Sequence, residues 1–131
     1  MTDPSSAPPP RFLADRCLGK VTVERLRRLG WDIVRLGDVT DDDAQEVSDE
    51  ALVELAGRRG WAILTKDKRI RYQPSFALAV TPLFTLSSGE MSLDEAVACF
   101  EAARHRIWAA ARAPEKQFWV VYGEGRCIRR A

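Results

Sequence analysis

Apolar residues along the chain fall into two alternating patterns. Short unbroken or period-two runs mark strands, and runs spaced three and four apart mark helices. Phe12, Leu13 and Ala14 form a brief apolar run ending at Asp15, as a strand buried on both faces would. Val21, Val23, Leu26 and Leu29 then recur at helical spacing and stop at Gly30, a residue suited to a helix C-terminus. Residues 31–36 alternate as a second strand. An acidic loop over 37–46, with Asp41, Asp42 and Asp43 in a row, leads to a second helix. Ser48 is placed as its N-cap, with Asp49 and Glu50 in a first turn whose dipole favours negative charge. Ala51, Leu52, Leu55 and Ala56 continue it to about Arg59, and Gly60 ends it. Residues 61–65 read as a third buried strand running into Lys66 and Asp67.

The second half repeats the alternation. Residues 78–86 offer a fourth strand, interrupted by Pro82, which suits an edge or a strand start. Ser92 and Glu95 form a capping box. One long helix follows, with Leu93, Ala96, Val97, Phe100, Ala103, Ile107, Trp108 and Ala111 on its apolar face, and Pro114 stops it. Residues 118–122 give a last strand. The order predicts an open, mostly parallel α/β sheet with helices on both faces. It occupies 11–125, between a flexible Pro/Ser lead-in over 1–10 and a short basic tail over 126–131.

That topology gives meaning to three acids. In such sheets ligands bind beyond the carboxyl ends of the strands. Asp15 lies just past the first strand, Asp67 just past the third, and Asp49 starts the helix that leads into the third. If the first and third strands are neighbours, the three carboxylates converge in one cleft. Clustered carboxylates repel one another unless a cation neutralises them, and hard oxygen donors suit Mg²⁺ or Mn²⁺. The chemistry would be metal-activated water attacking a phosphodiester. Singly, each acid is equally a strand-end or helix-start residue. Cations bracket them: Arg16 and Lys20 beside Asp15, and Lys66, Lys68, Arg69 and Arg71 beside Asp67. Cations so placed would grip a phosphate backbone, although they also suit surface ion pairs. Tyr72 could stack on a base, whereas Trp61 at a strand start reads as core.

Composition narrows the rest. The 131 residues fit one domain, and 46% apolar with 30% charged residues excludes wholesale disorder. Net charge is only +1, which excludes an all-over basic coat. The small sum hides strong local patterning: residues 32–54 carry nine acidic and one basic residue, and residues 58–71 carry six basic and one acidic. Three widely spaced cysteines without a CxxC pair exclude a structural zinc site and suit a reduced, cytoplasmic setting. The lone His105, between Arg104 and Arg106, reads as a solvated helix residue. No apolar run approaches the ~20 residues of a membrane span.

The two acid-bearing segments resemble a known family. FLADRCLGK, from Phe12 to Lys20, is similar to the first-strand motif of PIN-like nucleases, and SDEALVELAGRRGWAILTKDKRIR, from Ser48 to Arg71, to their second. The resemblance implies a PIN-like α/β/α sandwich and a Mg²⁺- or Mn²⁺-dependent ribonuclease. Many small members are toxins of bacterial toxin–antitoxin pairs, often dimeric and restrained by a cognate antitoxin. By motif position Asp15, Asp49 and Asp67 carry over as metal-binding acids, with Glu50 as a further candidate. Arg69 stands where many members have a fourth acid, so a three-acid site is implied. Cys17 occupies a small polar position of the motif and receives no catalytic role.

Two other readings compete. A receiver-type phosphoacceptor needs an acid pair after the first strand, and only Asp15 is there. A PIN-like module that has lost catalysis and merely binds RNA or protein is compatible with the missing fourth acid.

Overall fold

The computed structural model describes residues 8–39 and 49–131. Its six-stranded sheet runs β2-β1-β3-β4-β5-β6. The strands are β1 (Arg11–Ala14), β2 (Asp32–Arg35), β3 (Ala62–Thr65), β4 (Pro82–Leu86), β5 (Gln117–Val121) and β6 (Cys127–Arg129). All neighbouring pairs are parallel except β5–β6. The helices are α1 (Lys20–Arg28), the short α2 (Leu36–Val39), α3 (Asp49–Arg59), α4 (Leu93–Ala102) and α5 (Arg104–Ala111).

Alternation along the strands builds two cores. Phe12, Ala14, Leu64, Phe84, Leu86 and Val121 face α1, α4 and α5. Leu13, Ile63, Leu83, Phe118 and Val120 face α3 and the 3-10 turn Pro74–Leu78. A sheet covered on both faces by helices is the α/β/α architecture expected from the pattern. Above all, β1 and β3 are direct neighbours, with Ala14 level with Leu64. This is the adjacency on which convergence of the acids depends.

The structure departs from the pattern in five places. Val21 and Leu29 are 53% and 43% exposed, while Thr22, Val23 and Leu26 are buried. Val21 lies two residues from Val23, about 200° around a helix, so the two cannot share a face. The fourth strand starts at Pro82 and lies between β3 and β5, so Pro82 marks a start and not an edge; residues 74–78 are a 3-10 turn instead. The long helix is two. Ala103 leaves helical geometry at φ −97° and ψ 4°, and its N–H is shared between the carbonyls of Cys99 and Phe100. Residues 126–131, expected as a tail, carry β6 and close the sheet in a hairpin with β5. The acidic loop begins with α2 over its first residues, and its remainder, with Ser48 as N-cap, lies outside the described residues.

Candidate active site

Asp15 is the first residue past β1, and its N–H still donates to the Leu64 carbonyl at 2.9 Å, extending the parallel ladder. The chain then turns through the 3-10 segment Arg16–Leu18 to Gly19, which at φ 78° enters α1 in a conformation that disfavours side chains. The turn folds Cys17 back over the strand ends. Its thiol lies 3.2 Å from Asp15 Oδ2 and 3.0 Å from Thr65 Oγ1.

Thr65 ties the two strand-end acids together. It is the last residue of β3 and fully buried. Its hydroxyl donates to Asp15 Oδ2 at 2.9 Å and accepts the Asp67 backbone N–H at 3.1 Å. A buried hydroxyl must find such partners, and here they fix both the Asp15 rotamer and the path of the chain into Asp67. Burial, and then the Asp15 carboxylate, push the Cys17 thiol up to about 11, so it stays protonated and acts as a hydrogen-bond donor. The sequence motifs give neither Thr65 nor Cys17 a role; the signal for both is their place at the strand ends beside the acids.

Asp49 comes from the first turn of α3, as expected. Partial desolvation and the negative charges of Asp15 and Asp67 hold its carboxyl above the usual carboxylate range, against a pull downward from Arg16. Asp49, on α3, therefore feels the charges of Asp15 and Asp67 from the ends of two strands. Glu50, the next residue, is exposed.

Asp67 is held differently. Arg69 Nε lies 2.9 Å from its Oδ1 and Arg69 Nη2 3.2 Å from its Oδ2, and the Arg69 backbone N–H donates to Oδ1 at 3.0 Å. The guanidinium keeps the Asp67 carboxyl below the usual range. Asp49 and Asp67 thus sit on opposite sides of their ordinary value, Asp49 raised by burial and neighbouring negative charge and Asp67 lowered by its arginine.

The cations are divided among neighbouring spaces. Lys66, Lys68 and Arg69 line a cavity of about 450 Å³ together with Cys17, Asp67, Gly89 and Glu90. Lys20 and Lys66 line an adjoining cavity of about 330 Å³ between the starts of α1 and α4. Arg16 reaches the cleft through its charge at Asp49. Arg71 is not brought there: it donates to the Arg130 carbonyl at 3.2 Å and lies over the rings of Phe118 and Tyr72. Trp61 is half-buried between the guanidiniums of Arg11 and Arg59, and Tyr72 is 81% exposed. Glu90, on the loop after β4, is an acid of the larger cavity that the motifs did not reveal. His105 is exposed on α5.

A family model, that of the PIN like domain, matches residues 10–82, more than half of the chain and all three acids. The chain belongs to that family. No curated protein and no solved structure matches it significantly. The matched part ends as β4 begins, so β1, β2, β3 and the acid-bearing turns are the PIN-like portion. The remaining strands extend the same sheet. The fold is nuclease-type. Among the described residues, no helix is long and apolar enough to cross a membrane.

The PIN-like acids suit a hard divalent cation in kind, being carboxylates with charge left unbalanced at Asp49. They are not closed into a ligand set as they stand: among the described residues no three His, Cys, Asp or Glu side chains are gathered closely enough to hold one ion.

Proposed function

We propose that this PIN-like chain is a divalent-metal-dependent ribonuclease that hydrolyses RNA phosphodiesters at the carboxyl edge of β1 and β3. One observation carries the reading: Asp15 and Asp67 stand past the carboxyl ends of the adjacent strands β1 and β3, tied through the Thr65 hydroxyl, and the Asp49 carboxyl is raised first by burial and then by the charge of Asp15. Negative charge at a sheet's ligand-binding edge, with Asp67 in a cavity that Lys66 and Lys68 also line, suits a cation and a phosphate together. Asp15, Asp49 and Asp67 would hold Mg²⁺ or Mn²⁺, with Glu50 adjacent. When bound, the ion would supply a Lewis acid to the phosphate and a water more acidic than bulk water.

The chain's own groups do the rest. Lys66 and Lys68 have no ion-pair partner among the described residues, so they can take phosphate oxygens without breaking a bond. Thr65 and Cys17 both direct hydrogen bonds at Asp15 Oδ2, which orients that carboxylate before any ligand arrives. Cleavage of a labelled single-stranded RNA is expected to stop in EDTA and to return with added Mn²⁺ or Mg²⁺. Linear phosphate ends, with no 2′,3′-cyclic phosphate, are expected from attack by water. Undiminished cleavage in EDTA would sink the assignment.

Within this reading we assign the biological role of a toxin restrained by a cognate antitoxin, supported by the motif resemblance. Induced expression should arrest growth of the host cell, and co-expression of a small adjacent reading frame should relieve the arrest. Growth unaffected by an active enzyme would count against that role.

A second reading rests on Asp67. Its pairing with Arg69 and the unclosed ligand set favour a PIN-like module that binds RNA or protein without cutting. RNA binding with neither cleavage nor measurable Mn²⁺ binding would establish it.

A further inference from the structure

We propose that Arg69 is a phosphate-released lock on Asp67, so that metal binding and RNA binding are coupled through one guanidinium. The inference rests on the metal-dependent reading above. Three bonds from a single residue occupy both Asp67 oxygens, two from the guanidinium fork and one from the backbone N–H. A carboxylate gripped in this way has one lone pair left, on Oδ2, and a cation that takes it must approach a positive guanidinium. This accounts for a PIN-like acid set that is electrostatically coupled yet not closed around an ion site.

The lock is built to open. The Arg69 side chain is 81% exposed, so little packing holds it in place. It lines the same cavity of about 450 Å³ as Lys66 and Lys68. A phosphate drawn in by the two lysines arrives within the sweep of Arg69. Guanidinium binds phosphate oxygens with the same bidentate geometry that it uses on a carboxylate. Transfer of the fork from Asp67 to the phosphate keeps the arginine paired and frees Oδ2 for the metal, while Oδ1 keeps the bond from the Arg69 backbone N–H. Without RNA, the arginine is the cation at Asp67. With RNA, it becomes a phosphate ligand, and the ion takes its place. Thermodynamic linkage requires the effect to be reciprocal: RNA raises metal affinity by the factor by which metal raises RNA affinity.

Calorimetric titration of Mn²⁺ alone into wild type, Arg69→Gln and Lys68→Gln tests the lock. Each substitution removes one positive charge from the cavity, but only Arg69 touches Asp67. Arg69→Gln is expected to bind Mn²⁺ roughly three- to tenfold more tightly than wild type, the worth of an exposed bidentate pair, and Lys68→Gln less than twofold more tightly. Arg69→Lys, which keeps the charge but not the fork, should fall between. A second readout is fluorescence anisotropy of a short oligoribonucleotide with phosphorothioate linkages. Mn²⁺ should tighten its binding by a larger factor in wild type than in Arg69→Gln. Equal gains in Arg69→Gln and Lys68→Gln would reduce the effect to net charge and overturn the lock while leaving the metal reading intact. No Mn²⁺ binding by either wild type or Arg69→Gln would overturn the metal reading itself.

Discussion

Asp15→Asn is expected to lower RNA cleavage at least ~100-fold while leaving the fold intact. Metal-ion catalysis supplies several kcal/mol of barrier lowering, and each ~1.4 kcal/mol is tenfold in rate, so impairing one of the proposed ligands would be a large loss. The fold should survive because the contacts of Asp15 survive. Asparagine keeps an acceptor oxygen for the Thr65 hydroxyl at the position of Oδ2, and the backbone bond from residue 15 to Leu64 is untouched. Stability should even rise slightly near neutral pH. The Asp49 carboxyl is held above its ordinary value, so the folded state binds that proton more tightly than the unfolded chain does. Stability is therefore lost as pH rises through the carboxylate range. Asp15 is the largest charge contributing to that displacement, and its neutralisation lets Asp49 fall back. Cleavage assays, thermal melts and a carbon-detected titration of Asp49 check the three parts together. Full cleavage by Asp15→Asn would remove the acid cluster from the mechanism. Unchanged titration of Asp49 would show that the two carboxylates do not share a cleft.

The acids were legible because two local facts and one topological fact coincide. Asp15 and Asp67 each end an apolar run, and a strand–helix–strand order brings parallel strands side by side. What the sequence could not show is what each acid does with its charge. Arg69 reads as one more cation beside Asp67, fit for a phosphate, yet two residues along a 3-10 turn it reaches back to both carboxylate oxygens. Arg71 reads the same way and is carried instead to the Arg130 carbonyl, just past β6. Spacing along a chain does not report which way a long side chain points when the backbone is neither helix nor strand. The break at Ala103 was hidden for another reason. Nothing from 93 to 111 is glycine or proline, and the apolar spacing runs on unbroken. The break sits where another segment presses. A Cβ on Gly125, in the turn between β5 and β6, would lie 2.8 Å from the Ala102 carbonyl oxygen. Such a contact belongs to the tertiary structure, as does β6, whose three residues pair only because β5 is there to receive them.

Phe84→Ala is expected to destabilise the chain by about 3–5 kcal/mol, the usual loss for a phenylalanine emptied from a packed core. Phe84 is completely buried in the middle of β4, with the Phe12 ring edge-on at 6.2 Å and the Trp119 ring stacked at 6.3 Å. These rings come from three strands, so the surroundings cannot collapse into the gap without moving the sheet. A domain of this size holds only about 5–15 kcal/mol in total, and the melting temperature should fall by roughly 10–20 °C. Tyr72→Ala, at a ring 81% exposed, should stay within about 0.5 kcal/mol. Phe84 is level with Leu64, one residue before Thr65, so the damage begins beside the site without touching it. Below its melting transition, Phe84→Ala should still bind Mn²⁺ and cut RNA per folded molecule much as wild type does. Asp15→Asn should show the reverse, an undiminished melt with cleavage lost. The two variants separate what holds the sheet together from what the sheet edge is for. If Phe84→Ala lost cleavage at temperatures where it is fully folded, the acid geometry would depend on core packing beyond the hydrogen bonds of Thr65. The site would then be held by the whole sheet, and not by its last residues alone.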